Sequence, residues 1–353
     1  MSLLKKQSIY TVSEKPVNYT LFGCEWIPSS NRLVVVGSNP NATGSLSIMR
    51  LDETEIKVDK VSSKPSALHC CSLLDRRRVV VGDYNGSVGV YDMLDLAHPT
   101  FKVRAHQGTC YSVDTCGLVG KGAAEIVSCG QDGAVRVWDP RQPSAPVAAL
   151  EPDEGVKARD CFCAAFGHAH TNTDRMFAAG YDNGDVIIYD LKAQDILAQW
   201  NVGSAVMGIE FDRKDTVMNT LAITTIDGEI FFYDLQTFNM DSGFASLKEN
   251  VASCALWKIK HLPQCKEIMA TSGGDGEIHL FKYQYPQERS RIDPETNQKV
   301  GVIGSFNKIT QQVLSTQPVA SFSFSPDFLG LFACTAFDQT LRCGVITRLD
   351  ELL

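Results

Sequence analysis

The chain has 353 residues, 44% of them hydrophobic, and a formal net charge of −8. This charge disfavours a polyanion-binding surface, and the run of three arginines at 76–78 is expected to be a solvated loop, so we expect no nucleic-acid partner. No apolar stretch reaches the roughly 20 residues that span a bilayer, and residues 1–6 lack the apolar core of a signal peptide. We therefore expect no membrane partner and a cytoplasmic chain whose 12 cysteines stay reduced.

In chain order, the first predicted element is a short strand at residues 7–12. A motif then recurs, in which an Asn-Gly or Asp-Gly pair precedes alternating branched apolar residues. Its clearest copy is residues 132–139, Asp-Gly-Ala-Val-Arg-Val-Trp-Asp. Such pairs favour the type I′ turn, and the Val-x-Val run has the period of a strand. The motif therefore predicts the turn and third strand of a repeated hairpin.

The turn positions give the number of repeats. They lie 42 to 63 residues apart, at Gly44, Gly86, Gly133, Gly184, Gly228, Gly276 and, in the same frame, Gln339. A four-stranded repeat of about 40–45 residues is the period of a WD-type propeller. The sequence therefore predicts an all-β, seven-bladed β-propeller.

The repeats are expected to use the whole chain as a single domain. The blades are predicted at approximately 15–60, 61–106, 107–153, 154–203, 204–250, 251–316 and 317–353 plus 6–13. The seventh repeat ends soon after its third strand, so the N-terminal strand is expected to complete the last blade and close the ring.

One blade carries the residues of a buried hydrogen-bond tetrad. His106 lies before the first strand of the third blade, where it is placed to bond with Ser128, Asp132 and Trp138. Buried polar groups must be satisfied, so this set is predicted to fasten the turn to the blade and to be structural rather than catalytic.

Other constellations do not indicate chemistry. Cys161, Cys163, His168 and His170 have none of the usual zinc spacings, and residues 117–122 lack the Ser or Thr of a phosphate loop. No carboxylate pair is marked as catalytic. We expect no enzyme activity, no cofactor and no metal, and interpret the repeat as a platform for other proteins.

Two features stand outside the bare repeat. An insertion at 283–299 carries Tyr283 and Tyr285 at its start and is interpreted as either a functional or a merely tolerated loop. Trp138-Asp139-Pro140-Arg141 fits a W-D-x-R box, in which Asp139 is already part of the repeat and Arg141 would present a planar fork to carboxylates. This box supports an alternative function, a substrate receptor of a cullin-4 ubiquitin ligase.

The segments between the copies resemble the Monad family of WD-repeat proteins, which are associated with chaperones and axonemal dynein assembly. The matching stretches follow one another along essentially the whole chain, at residues 18–20, 138–142, 159–161, 179–185, 211–215, 243–246, 261–264, 314–318 and 337–340. The N-terminal dozen residues, the loop at 39–43 and the middle of the insertion depart from the family.

The resemblance implies a cytoplasmic, non-enzymatic scaffold that assists the assembly of axonemal dynein arms and other multi-subunit complexes. Its implied partners are R2TP co-chaperone subunits, prefoldin-like subunits and, as clients, dynein heavy chains; a link to apoptosis is also associated with the family. We expect a monomer. Tyr181, Arg213 and Lys214 lie in family-like stretches that the repeat does not demand, and they are candidate interaction residues, with blade-to-blade packing as the alternative.

Overall fold

The structure, a computed structural model, describes residues 6–116, 118, 124–142, 144–153, 155, 158–168, 174–212, 214, 217–239, 243–292, 294 and 297–353. Within these residues the chain forms seven antiparallel four-stranded sheets, one two-stranded hairpin and a 3₁₀ turn at Asp350–Leu352. The sheets are the blades of a propeller, and the predicted fold class is confirmed.

The strands of the first four blades follow one another from the innermost to the outermost. Blade 1 contains β2 (Thr20–Trp26), β3 (Arg32–Ser38), β4 (Gly44–Asp52) and β5 (Glu55–Lys64). Blade 2 contains β6 (Leu68–Leu73), β7 (Arg78–Asp83), β8 (Ser87–Asp92) and β9 (Asp95–Arg104). Blade 3 contains β10 (Cys110–Thr115), β11 (Ile126–Gly130), β12 (Val135–Trp138) and β13 (Ala148–Leu150). Blade 4 contains β14 (Cys161–Gly167), β15 (Met176–Tyr181), β16 (Asp185–Asp190) and β17 (Asp195–Asn201).

The remaining blades have the same order, except that the last one takes its outermost strand from the N-terminal segment. Blade 5 contains β18 (Val206–Phe211), β19 (Thr220–Thr225), β20 (Glu229–Asn239) and β21 (Gly243–Asn250). Blade 6 contains β22 (Leu256–Leu262), β23 (Cys265–Gly273), β24 (Glu277–Gln284) and β27 (Ser305–Val313), and its insertion forms the hairpin of β25 (Ser290–Ile292) and β26 (Lys299–Gly301). Blade 7 contains β28 (Val319–Phe324), β29 (Leu331–Ala336), β30 (Thr340–Ile346) and β1 (Ile9–Pro16).

Strand β1 closes the ring, as predicted. It runs antiparallel to β30, from the pair Ile9–Ile346 to the pair Pro16–Thr340. Ile9 is buried in a cluster with residues of blades 6 and 7. The two ends of the chain are therefore held in one sheet, and β30 has no free edge along this pairing.

The hydrophobic core lies between neighbouring blades. One cluster joins blade 4 to blade 5, and others repeat this arrangement around the ring. The second and third strands have nearly continuous buried runs, as in β7 and β15. Both faces of a blade are covered by its neighbours, which explains why these strands lack a clear polar–apolar alternation.

The predicted type I′ turn is wrong. The glycines of the five Asn-Gly and Asp-Gly pairs have positive φ, from 74° at Gly133 to 88° at Gly184, but the Asn or Asp before each of them does not. The amide of Gly133 donates to Gly130 O at 3.1 Å, so the turn begins one residue before the Asp-Gly pair. The loop therefore contains three residues, 131–133, instead of two. This is the longer hairpin in which a type I turn is followed by a left-handed residue. The glycine is required because its φ, and not that of its partner, is positive.

The four residues His106, Ser128, Asp132 and Trp138 form one hydrogen-bonded set in blade 3. The imidazole Nε2 of His106 lies 2.8 Å from Ser128 Oγ, and its Nδ1 lies 2.9 Å from Asp132 Oδ1. The indole of Trp138 donates to Ser128 Oγ at 3.0 Å. Burial alone would raise the pKa of Asp132, but the bonds from His106 and from Arg136 lower it well below its usual range. The set thus links the loop before β10 to the β11–β12 turn and to the two strands that this turn connects.

Replacing His106 by Ala is expected to destabilise the fold by about 2–3 kcal/mol, because two buried hydrogen bonds are lost and their partners are left unsatisfied. Chemical denaturation measures this loss. Binding of partner proteins should be unchanged, since the His106 side chain is fully buried. Weaker binding with an unchanged unfolding midpoint would contradict a structural role.

All twelve cysteines are free thiols. Among the residues that the structure describes, no helix has the length and apolar character needed to cross a membrane.

Candidate functional site

The seven innermost strands share an irregularity at one end of the central channel. In each, the pairing with the second strand shifts near the start of the strand and leaves one extra residue, for example Phe22 between Leu21 and Gly23 of β2. A bulge turns the extra side chain away from the sheet. All seven extra side chains line the channel: Phe22, His69, Tyr111, Phe162, Met207, Trp257 and Ala320.

Five of these side chains, together with two rings from neighbouring turns, form an almost complete belt of rings at the channel mouth. We call the belt the aromatic collar; it consists of Phe22, His69, Tyr84, Tyr111, Phe162, Trp257 and Phe337. Neighbouring ring centroids lie 5.2 to 5.7 Å apart, in an unbroken chain from Trp257 through Phe337 and Phe22 to Phe162. Phe337 comes from the β29–β30 turn, on the blade whose bulge position is only an alanine.

Hydrogen bonds hold the collar in place. The Tyr111 hydroxyl donates to Asp160 Oδ2 at 2.9 Å, and His69 Nδ1 lies 3.0 Å from the carbonyl oxygen of Tyr111. Burial and the Asp160 carboxylate raise the pKa of Tyr111 to about 12, so it is a neutral donor at physiological pH. Tyr84, in the β7–β8 turn, is 38% exposed and packs on Phe22. A fixed set of half-exposed rings is the kind of surface on which partner residues bind tightly.

Behind the collar lies a cavity of about 220 Å³. Lys258, the residue after the bulge in β22, contributes to its wall together with Cys70, Cys163, Ser112 and Ser321. Among the described residues, no carboxylate forms an ion pair with Lys258. The cavity therefore contains a cation whose charge is left available to an incoming acidic group.

An ion-pair network lies at the other end of the channel. Lys260 Nζ is 3.7 Å from Glu25 Oε1 and 3.6 Å from Glu210 Oε1, which joins blades 1, 5 and 6. Lys214 forms an ion pair with Asp114 of blade 3. Burial would lower the pKa of Lys260, but the surrounding carboxylates raise it above its usual range. The lysines here are thus paired, in contrast to Lys258.

Two of the predicted interaction residues are buried. Tyr181 is 8% exposed, and Tyr283 is 1% exposed, with its ring 4.2 Å from that of Phe232. The Tyr283 hydroxyl accepts a hydrogen bond from the amide of Gly304 at 2.9 Å. Neither side chain offers a surface to a partner, so both are corrected to packing residues.

The other residues of the predicted interaction set are divided among several places. Lys214 belongs to the channel network, and Arg213 lies outside the described residues. Tyr285 is half-buried beneath the guanidinium of Arg289, 4.7 Å from its ring centroid. Arg289 also donates to Asn219 at 3.2 Å, so the insertion contacts blade 5. The start of the insertion therefore braces two blades, and Tyr285 is part of that brace.

The W-D-x-R box lies at the channel end opposite the collar, after β12. Asp139 is 4% exposed, whereas 70% of the Arg141 side chain is exposed. Arg141 Nε and Nη2 bond to the carboxylate of its own Asp139 at 3.0 and 2.7 Å. This lowers the pKa of Asp139. The fork of Arg141 is thus directed at its neighbour in the isolated chain.

Comparison with known proteins identifies the family. A family model described as "WD domain, G-beta repeat" matches residues 97–139. The chain is 40% identical to dynein axonemal assembly factor 10 of Xenopus tropicalis, over 99% of both chains, and 40% identical to that of Chlamydomonas reinhardtii, over 100% of both. The human protein of the same name is 37% identical, again over 100% of both chains. These full-length matches confirm the resemblance found in the sequence, and the chain therefore belongs to the dynein axonemal assembly factor 10 family.

Proposed function

We propose that this chain is a non-enzymatic scaffold of the cytoplasm that helps to assemble axonemal dyneins, and that it holds partner proteins at the aromatic collar. The names of its relatives support the dynein role. The observation that carries the binding role is the belt of rings held half-exposed around the channel mouth, five of them by bulged strands and two by neighbouring turns. Bulges re-aim side chains at the cost of regular pairing, and they are found next to functional sites.

The chemistry of the site favours an extended partner segment that presents a carboxylate between apolar residues. Its apolar side chains would pack on the rings of the collar, and its carboxylate would reach Lys258. A charge-assisted hydrogen bond in a partly dry cavity is stronger than one in water. Lys214 and Lys260 are already engaged with carboxylates, which leaves Lys258 as the channel lysine that selects an acidic group.

The resemblance to the Monad family supports the finer partner assignment. R2TP co-chaperone subunits and prefoldin-like subunits would act with the chain, and dynein heavy chains would be its clients. The chain would act as a monomer whose seven blades fix the relative positions of several loops.

Affinity purification from ciliated cells, with quantitative mass spectrometry, tests this proposal. We expect dynein heavy chains and co-chaperone subunits in the wild-type eluate, and a loss of at least tenfold with Lys258→Met. The matched control is Lys248→Met, an exposed lysine on an outer strand, which should leave recovery unchanged. Absence of both partner classes from the wild-type eluate would contradict the proposal.

A second candidate function is a substrate receptor of a cullin-4 ubiquitin ligase. The exposure of Arg141 supports it, since a partner carboxylate could compete with Asp139 for the guanidinium. In this case Arg141→Ala should weaken binding to the ligase adaptor at least tenfold in a pull-down with purified components. Normal binding of this variant would remove the candidate.

A further inference from the structure

We propose that Asp275, Glu277 and His279, at the β23–β24 turn of blade 6, form a binding site for a divalent transition-metal ion. Each residue offers one ligand atom, and the three atoms lie within 4.8 Å of one another. The site is separate from the cavity behind the collar and does not depend on the proposed role in dynein assembly.

The strand period explains why the three residues converge. Glu277 and His279 lie two apart on β24, so both side chains point to the same face. Asp275 is in the turn just before this strand, and its Oδ1 accepts a hydrogen bond from the amide of Glu277 at 3.0 Å. This bond folds the Asp275 carboxylate over the start of β24, and Glu277 Oε2 lies 3.7 Å from His279 Nε2.

The corresponding turns of blades 3 and 7 hold an arginine where blade 6 has His279. In blade 3, Arg136 occupies the position of His279 and forms an ion pair with the turn residue Asp132 at 3.0 Å. In blade 7, Arg342 does the same with Asp338, at 3.1 Å. Blade 6 keeps the turn carboxylate, and adds that of Glu277.

Blade 6 lacks the guanidinium, however. In its place is His279, and the described residues show no salt bridge from an arginine or lysine to either carboxylate of the site. A bound cation would supply the charge that an arginine supplies in blades 3 and 7.

His279 adds an independent indication of a ligand. It is 1% exposed, yet neither of its ring nitrogens makes a hydrogen bond of normal length and geometry among the described residues; the polar side chain beside it is that of Gln311, its pair on β27. Thr271, directly opposite it on β23, also has a buried hydroxyl without a partner in this part of the chain. Buried polar groups are rarely left unsatisfied, because each one costs about 1–3 kcal/mol. A metal ion held between the imidazole and the two nearby carboxylates would satisfy one of these ring nitrogens.

The donor set selects the class of ion. One imidazole nitrogen with two carboxylate oxygens suits Zn²⁺ and similar first-row ions, whereas Ca²⁺ and Mg²⁺ prefer oxygen alone. Three protein ligands and one water complete a tetrahedron around Zn²⁺ with bonds of about 2.0–2.2 Å. Rotation of the half-exposed Glu277 side chain and the exposed Asp275 side chain would bring the oxygens to that distance.

Titration of Zn²⁺ into the reduced, chelator-treated full chain, followed by calorimetry, tests the site. We expect one ion per chain with micromolar or tighter affinity. His279→Gln and Glu277→Gln should each weaken it at least tenfold. Glu229→Gln is the matched control, because Glu229 has the position of Glu277 in blade 5 but is paired with Lys248, and Phe231 stands where blade 6 has His279. This control should bind as the wild type does.

A Co²⁺ spectrum separates this site from the thiols. We expect no thiolate-to-cobalt charge-transfer band in the stoichiometric complex. Circular dichroism checks the fold of each variant, and Glu277→Gln, at a half-exposed position, keeps the test valid if His279→Gln does not fold. The proposal would be overturned if the wild-type chain did not bind one ion. It would also be overturned if both site variants bound Zn²⁺ as tightly as the wild type does, or if a thiolate-to-cobalt band persisted in these variants.

Discussion

Deletion of residues 1–16, which removes β1, is expected to abolish the cooperative unfolding of the propeller. The loss should exceed about 5 kcal/mol, because a whole strand of backbone hydrogen bonds disappears from the last blade. The deletion also exposes the edge of β30, and an unpaired strand edge promotes association between chains. Urea denaturation and size-exclusion chromatography would show a broad, early transition and aggregated material.

Side chains add to this effect. Ile9 is 5% exposed and packs with Leu262, Phe332 and Ile346, so its removal leaves a gap between blades 6 and 7. Glu14 bonds to Arg342 at 3.0 Å. Arg342 is itself largely buried, and the loss of one of its two carboxylate partners leaves its charge less well compensated.

Two controls test whether the loss of stability comes from the absence of β1. Tyr10→Ser alters the same strand at a side chain that is 58% exposed, and it should change stability by less than about 0.5 kcal/mol. Addition of a peptide of residues 6–17 to the truncated chain should restore the cooperative transition. An unfolding midpoint of the truncated chain equal to that of the wild type would show that β1 does not close the ring.

Replacing both Trp257 and Phe337 by Ala is expected to weaken binding of a partner protein by at least a hundredfold. The two rings meet edge to face, with centroids 5.5 Å apart; both are half-exposed, and Trp257 lines the cavity. Removal of such an anchor commonly costs about 2 kcal/mol or more in an interface. Because the rings are only partly buried, the chain should remain folded, with a moderately lower melting temperature.

The matched control is Phe328→Ala. Phe328 is 60% exposed in the β28–β29 loop, which lies at the opposite end of the channel from the collar. Its removal deletes a similar aromatic area and should leave the affinity unchanged. Calorimetry or biolayer interferometry with a purified partner measures both variants. A collar variant that binds as tightly as the Phe328 variant would place the partner elsewhere.

The architecture follows from the sequence because its signals recur. Turn positions such as Gly133 and Gly184 recur at the spacing of a four-stranded blade, and this regularity predicts seven blades and the return of the N-terminal strand to the last of them. The turn type was wrong because an Asn-Gly or Asp-Gly pair does not by itself define the loop length. The hydrogen bond from Gly133 to Gly130 shows that the loop has three residues instead of two, and in such a loop only the glycine has a positive φ.

The residues of the functional surface are harder to predict from the sequence than the fold is. Tyr181 and Tyr283 were selected because the repeat does not require them, but a residue outside the motif can also be needed for packing, and both are buried. Five collar residues occupy the extra position of the bulge near the start of an innermost strand. This signal appears only when all seven strands are aligned, because the bulge breaks the alternation that normally tells which side chains point into the channel.

Site-specific photo-cross-linking tests the binding role of the collar most directly. A photoreactive amino acid replaces Tyr84 in one variant and Phe328 in another, so that the two ends of the channel are probed by exposed positions of similar character. After irradiation in ciliated cells, we expect the Tyr84 variant to cross-link to dynein heavy chains or co-chaperone subunits, and the Phe328 variant to do so at least tenfold less. Equal cross-linking at both positions, or cross-linking at Phe328 alone, would contradict a partner site at the collar.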